Sequence, residues 1–143
     1  MAGSDLDLRG TPIAESLLRE LLAALHDPAS ECSRVGTARF NGAVFSGDAR
    51  FSRTVFSGDA EFDGAVFSGD ARFRAVVFSG AARFVGVKFS GDALFSRARF
   101  SGDAQFSRAE FSGDAWFSGA KYSAWIHRVT ADQGEGRERR SAL

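Results

Sequence analysis

The chain has 143 residues, of which 44% are hydrophobic and 25% are charged, which is the ordinary range for one folded domain. Its 18 basic and 18 acidic residues cancel, so the surplus positive charge of a typical nucleic-acid-binding domain is absent, and an acidic DNA mimic is not evident either. The single Cys32 excludes an intrachain disulfide and any multi-cysteine metal site, and no apolar stretch approaches the length of a membrane span.

The amino-terminal segment, residues 1–33, contains one predicted helix. Its first ten residues, MAGSDLDLRG, carry acids where a signal peptide would carry bases and then an apolar run, so we expect a cytoplasmic protein. An amphipathic helix is predicted over residues 11–26, with Thr11 as its N-cap and Pro12 at its first helical position, and it ends at Asp27–Pro28. The apolar face of this helix comprises Ile13, Leu17, Leu18, Leu21 and Leu25.

Residues 40–122 form a tandem repeat in which the spacing of aromatic residues alternates between five and six. The repeating unit has eleven residues, of the form F-S-G-D-A-x-F-x-x-A-x, and full copies start at Phe45, Phe56, Phe67, Phe78, Phe89, Phe100 and Phe111. Helical supercoils can also have an eleven-residue period, but they need apolar residues three or four positions apart. Each copy here contains Ser-Gly, which further disfavours a helix.

The Ala-x-Phe step inside each unit has the period of two that is typical of a strand with Ala and Phe facing inward. Only two or three residues separate successive steps, which is enough for a corner and too few for a helix. Four steps then make a coil of 22 residues, and the repeat contains about four coils. At the Ser-Gly-Asp corners we expect Gly to adopt a positive φ and Asp to bond the backbone of its own turn.

The five-residue spacing of this step, as at Ala49/Phe51 and Ala60/Phe62, resembles the pentapeptide-repeat family. The F-S-G-D-A form is similar to a variant common in actinobacterial members. The resemblance implies an all-β fold, a right-handed quadrilateral β-helix, and we prefer this four-sided coil to a three-sided one. Two features depart from the family pattern: Arg, Val, Glu or Lys precedes the central Phe in place of Asp or Asn, and every second corner has an extra residue.

The predicted solenoid spans residues 34–122, because Arg34 and Arg128 occupy positions where the alternation would place another Phe. An open end exposes apolar side chains and unpaired strand groups, so it needs a cap. We expect the amino-terminal helix to cap one end. Residues 123–143 are expected to close the other end near Trp125 and then to form a solvated, disordered tail.

Residues 22 positions apart should stack, which sorts the outward residues into four columns. Two columns begin with valine pairs, Val44 with Val66 and, on the opposite face, Val55 with Val77. Such valines suit an ordinary strand surface, but they also suit a docking surface for the helix or for a second copy of the chain. A third column ends in Trp116, which either packs locally or contributes to an interface. These five residues are the candidate interaction surface.

Corner aspartates form two more columns, Asp48, Asp70, Asp92 and Asp114 in one and Asp59, Ala81 and Asp103 in the other. Stacked carboxylates could bind Ca²⁺, but each loop lacks a second acidic residue, and this favours turn capping. His26 and His127 have no partner at a catalytic or metal-binding spacing, and the Gly corners lack the Lys of a phosphate-binding loop. We therefore predict no catalytic residue, no cofactor and no metal site, and we do not expect an enzyme.

Two functional hypotheses follow. The first is a non-catalytic structural or protein-interaction scaffold, which binds an unidentified protein or forms a homodimer and contacts neither nucleic acid nor a membrane directly. The second comes from the family resemblance, because some pentapeptide-repeat proteins imitate DNA and bind DNA gyrase or topoisomerase, as in quinolone resistance. Charge disfavours the second hypothesis, since residues 34–122 contain twelve basic and nine acidic residues.

Overall fold

The computed structural model describes residues 2–122 and the backbone of two short strands beyond them, Ile126–His127 and Glu138–Arg139. Strands of two to four residues stack on four faces of a solenoid, and a helix lies at its amino-terminal end. This confirms the predicted four-sided β-solenoid of about four coils. Within the described part of the chain, no helix is both long and apolar enough to cross a membrane.

Each face of the solenoid is a ladder of parallel strands, and the faces are numbered here in the order in which the chain visits them. Face 1 comprises Leu6–Asp7, Ala38–Arg39, Ala60–Glu61, Ala82–Arg83, Ala104–Gln105 and Ile126–His127. Face 2 comprises Pro12–Ala14, Val44–Ser46, Val66–Phe67, Lys88–Phe89 and Glu110–Phe111.

The two remaining faces complete each coil. Face 3 comprises Ala49–Arg50, Ala71–Arg72, Ala93–Leu94, Ala115–Trp116 and Glu138–Arg139. Face 4 comprises Cys32–Val35, Val55–Phe56, Val77–Phe78, Arg99–Phe100 and Lys121–Tyr122, and the short strand His26–Asp27 pairs antiparallel with Cys32–Val35 at its edge.

The strand register follows the 22-residue period. Ala60 lies opposite Ala82 on face 1, and Phe67 lies opposite Phe89 on face 2. Because strand partners alternate inward and outward together, each outward strand residue from Arg39 to Lys121 stacks on the one 22 positions away. The predicted columns of outward residues are therefore confirmed by the pairing on all four faces from Ala38 to Tyr122.

The core is a set of stacked phenylalanine rings. Every Phe from Phe40 to Phe106 is at most 1% exposed. Rings of successive coils stack face to face, as Phe45 does on Phe67 with centroids 4.6 Å apart. Rings from opposite faces of one coil meet edge to face, as Phe62 meets Phe73. Aromatic pairs in these geometries contribute about 0.5–1.5 kcal/mol each beyond their area burial. The cross-section of the core is therefore nearly the same in successive coils.

The first coil differs from the others because a helix replaces its face 3 strand. This helix, α1, spans Glu15–Ala24 and connects a strand of face 2 to one of face 4. It packs against Ala49–Arg50, the first strand of face 3, and buries Leu18 and Leu22 in the aromatic core. The expected capping of the amino-terminal end by a helix is consistent with this position.

The predicted helix start at Thr11 is wrong. Pro12–Ala14 is a strand of face 2 paired in parallel with Val44–Ser46, and Ile13 lies opposite Phe45 in the core. The exposed edge of Val44–Ser46 offers hydrogen-bond partners to the backbone of residues 12–14. This strand pairing outweighs the local preference for a helix N-terminus at Thr11.

The predicted apolar face of the helix is partly wrong as well. Leu18 and Leu25 are buried as expected, but Leu17 is 38% exposed, Leu21 is half-buried and Leu22 takes the second buried position. The helix ends at Ala24 and not at residue 26. The later start removes Ile13 from the helix, and the buried stripe shifts accordingly.

The predicted boundary at Arg34 also needs correction. Arg34 lies opposite the outward Val55, and Val35 takes the inward position, fully buried, opposite Phe56. The corner after Val35 is one residue shorter than the equivalent Ser-Gly-Asp corner, so counting six residues back from Phe40 ends on an outward residue.

The stacking of strands begins well before the first Ala-x-Phe step. Leu6–Asp7 pairs with Ala38–Arg39, so part of the segment predicted to precede the solenoid belongs to it. At the other end, Trp125 and Arg128 lie outside the described residues, as does most of the predicted tail. The backbone of Ile126–His127 and of Glu138–Arg139 nevertheless continues face 1 and face 3.

Candidate interaction surfaces

The Ser-Gly-Asp corners between faces 2 and 3 bring successive coils into close contact. A Cβ added to Gly69 would lie 2.6 Å from the carbonyl oxygen of Gly47 in the preceding coil. The expectation of a positive φ holds at Gly47, where φ is 77°, and is wrong at Gly69, whose backbone is not left-handed. Gly69 is required because the neighbouring coil lies too close to leave room for a side chain.

The corner aspartates bond the next coil and not their own turn, which corrects the predicted capping. Oδ1 of Asp48 accepts a hydrogen bond from the backbone N–H of Asp70 at 3.0 Å, and Asp70 and Asp92 do the same for the N–H groups of Asp92 and Asp114. The backbone N–H of Asp70 lowers the pKa of Asp48, and Arg72 lowers it further. These oxygens therefore serve inter-coil contacts, and the described residues contain no group of three metal-ligating side chains.

The four predicted valines lie in two separate pairs. Val66 stacks on Val44 on face 2, and Val77 stacks on Val55 on face 4. Val44 is 41% exposed and the other three are half-buried. Helix α1 occupies the position of face 3, so it leaves Val44 exposed. The valines thus form two small apolar areas on opposite faces.

Trp116 lies on face 3, where it stacks on Leu94. It is half-buried, and the backbone of Arg139 continues the ladder beyond it. Leu94 and Trp116 form an apolar stretch in the carboxyl-terminal half of a face that begins with Arg50 and Arg72. Trp116 is therefore distant in sequence and in coil number from Val44.

An arginine-lined groove, which the sequence analysis did not single out, lies along face 3 and its corner with face 4. Its volume is about 500 Å³, and it is lined by Ser52, Arg53, Arg72, Arg74, Ala75, Leu94 and Arg97. Arg72 and Leu94 come from face 3 strands, and the others come from the corner. The overlooked signal was the residue type at the second corner position, which is glycine at four of the eight equivalent positions but arginine at Arg53, Arg97 and Arg108.

A second cleft of about 390 Å³ lies between α1 and face 3. An ion pair joins Glu15 of the helix to Arg50, with Oε2 and Nε 3.4 Å apart, and Thr54 lies buried at the base of the corner. Both charged groups are largely exposed, so the pair contributes at most about 1 kcal/mol. This cleft is a packing boundary between the cap and the solenoid.

Comparison with known proteins agrees with this architecture. A family model described as pentapeptide repeats (9 copies) matches residues 34–77 and 73–121. The chain belongs to the pentapeptide-repeat family. Pentapeptide repeats are matched only from residue 34 onward because α1 interrupts the five-residue spacing in the first coil. No curated protein and no solved structure is similar enough to this pentapeptide-repeat chain to count as a match.

Proposed function

We propose that this pentapeptide-repeat protein is a non-catalytic scaffold whose outward columns bind another protein in the cytoplasm. One observation carries the proposal: the inward residues barely change from coil to coil, whereas the outward ones differ. Face 2 shows this variation in Val44, Val66, Lys88 and Glu110. A rigid frame with a variable surface is the arrangement by which repeat proteins bind partners.

The polar side chains support a role without catalysis. Pentapeptide-repeat solenoids are generally non-catalytic. Within residues 2–122, Thr54 is the one polar residue that is buried. A catalytic site, by contrast, brings several polar side chains together in a cavity. The corner aspartates, which are the most regular polar set, are used in bonds between coils.

Face 2 is the best candidate for the contact with a protein partner. Val44 is the most exposed of the predicted valines and stacks on Val66, while Lys88 and Glu110 follow on the same face. An apolar centre with a charged rim is the usual anatomy of a protein interface. The opposite face has a similar pair, but its Val55 and Val77 are less exposed than Val44.

The test compares two matched double variants, Val44→Glu/Val66→Glu on face 2 and Val55→Glu/Val77→Glu on face 4. Light scattering after size exclusion measures the self-association of each, and co-purification from the native cells measures partner binding. We expect the face 2 variant alone to lose its complex, with both variants retaining the wild-type circular dichroism spectrum. Equal binding by all three proteins would contradict the assignment of face 2.

The DNA-mimic hypothesis receives no support from the charges on the surface. A duplex mimic needs a strongly negative surface, whereas the groove along face 3 is lined by four arginines and no acid. We expect the protein neither to inhibit DNA gyrase nor to protect it from quinolones in a supercoiling assay. Inhibition that survives the face 2 substitutions would favour the DNA-mimic hypothesis over the scaffold.

A further inference from the structure

The arginine groove is built from residues of three successive coils. The backbone N–H of Arg53 donates to the carbonyl oxygen of Arg74 at 2.9 Å, and the N–H of Arg97 donates to that of Ser118 at the same distance. Neighbouring coils are roughly 4.8 Å apart, so the backbones of Arg53 and Arg97 lie roughly 10 Å apart along the axis. Arginines from separate coils are thus held side by side by the ladder of backbone hydrogen bonds.

The positive charge in this groove is only partly neutralised. Arg72 forms ion pairs with Asp48 at 3.4 Å and Asp70 at 3.7 Å, and its buried Nε has no hydrogen-bond partner. The residues that line the groove include no acid. Among the described carboxylates, none lies within ion-pair distance of Arg53, Arg74 or Arg97. Three neighbouring guanidinium groups therefore repel one another unless an anion binds.

The backbone at this corner is strained at three of its four equivalent positions, and the fourth is Gly119. The φ angles of Arg53, Ala75 and Arg97 are 66°, 58° and 61°, in the left-handed region that favours glycine. The corner between faces 1 and 2 has the same conformation but uses glycine at three of its four positions, Gly42, Gly64 and Gly86, with Arg108 at the fourth. This corner thus has three left-handed residues other than glycine against one at the other corner, and such strain clusters where a ligand binds.

We propose that the groove binds a ligand with linked phosphate groups, either a nucleotide or a free polyphosphate. Arginine presents a planar fork of donors that bonds phosphate oxygens in pairs, and several arginines in a row match several phosphates in a chain. The volume of about 500 Å³ lies in the range of small-molecule sites. Leu94 and Ala75 add an apolar wall for a non-phosphate portion of the ligand.

The decisive experiment is isothermal titration calorimetry of the full chain with inorganic tripolyphosphate at low ionic strength, where charge interactions are least screened. Arg97→Gly removes a groove guanidinium, and Arg108→Gly is its matched control, because Arg108 has the same φ of 61° on the corner between faces 1 and 2. Glycine suits both positions, so neither variant should unfold.

We expect Arg97→Gly to weaken tripolyphosphate binding by roughly tenfold or more, and Arg53→Gly/Arg97→Gly to weaken it further. Arg108→Gly should bind within about twofold of wild type, since its guanidinium lies on another corner. Tighter binding of metal-free ATP than of tripolyphosphate would support the site with a nucleotide as ligand, and equal binding would support it with a phosphate chain. Absence of tripolyphosphate binding, or equal loss in the Arg97 and Arg108 variants, would overturn the proposal.

Discussion

Two glycines of the same coil should respond differently to alanine because they are required for different reasons. At Gly69 an added Cβ would lie 2.6 Å from the carbonyl oxygen of Gly47, a backbone atom that cannot turn away, and 2.7 Å from Oδ1 of Asp48. At Gly64 the nearest atom to an added Cβ is the backbone nitrogen of Gly42 at 4.0 Å, but φ is 70°. The first substitution meets a collision and the second meets only backbone strain.

The expected losses differ by a factor of about three. Overpacking at Gly69 costs about 1–3 kcal/mol, and separating the coils weakens the bond from Asp70 N–H to Asp48, which contributes about 1 kcal/mol. We expect Gly69→Ala to lower the free energy of unfolding by roughly 3 kcal/mol. For Gly64→Ala, a left-handed alanine costs about 1–2 kcal/mol, offset by about 0.4–1 kcal/mol from the stiffer unfolded chain, which leaves roughly 1 kcal/mol.

Urea unfolding followed by circular dichroism measures both variants against wild type. The comparison requires the same dependence on urea concentration in all three, so that shifts in midpoint report stability. If Gly64→Ala were as destabilising as Gly69→Ala, a collision would cost no more than backbone strain, and the assigned difference between the two glycines would be wrong. If Gly69→Ala were neutral, the coils would not be in contact at this corner.

Three further predictions concern the cap, the corners and the core. Leu18→Ala should lower the free energy of unfolding, measured in urea, by about 2–5 kcal/mol, because Leu18 is buried. Leu17→Ala on the same helix should change it by at most about 0.5 kcal/mol, because Leu17 is exposed. Equal losses would contradict the capping role of the helix. The lowered pKa of Asp48 means that its carboxylate stabilises the fold above its ordinary pKa of 3.8 and stops doing so as pH falls through the lower folded value. The melting temperature of wild type should therefore fall more steeply below about pH 4 than that of Asp48→Asn, and parallel curves would refute the assignment. Phe73→Ala should lower the free energy of unfolding in urea by about 3–5 kcal/mol, because this fully buried ring stacks on rings of the coils on both sides. A loss under about 1 kcal/mol would show that the ring stack is not continuous.

The repeating part of the fold is predictable because its signal is local. Each Ala-x-Phe step fixes which residues face inward, and its period fixes which coil partners meet, so the columns follow from counting. The start of the helix is not predictable in this way. Pro12–Ala14 becomes a strand only because Val44–Ser46 offers it a sheet edge, and this partner is distant in sequence.

The candidate surfaces were predicted unevenly for a related reason. Val44 and Trp116 precede or follow inward residues in strands, so the period assigns them to faces. The groove combines Arg72 from a strand with Arg74 and Arg97 from corner positions of different phase, which a column count of strand residues omits. Its charge also depends on which acids the fold brings near, and that is a property of the folded chain.

The stacking of residues 22 positions apart restricts how the protein can change in length. Insertion or deletion of 22 residues would return every later residue to its own face, and each corner aspartate would still meet a backbone N–H of the next coil. A change of eleven residues would preserve the core equally well, because the units share the same inward pattern, but it would exchange face 1 with face 3 and face 2 with face 4. Trp116 would then move to the column that begins with Arg39. Whole-turn duplications thus lengthen such a protein without altering its surfaces, whereas a half-turn duplication creates new surfaces in one genetic step.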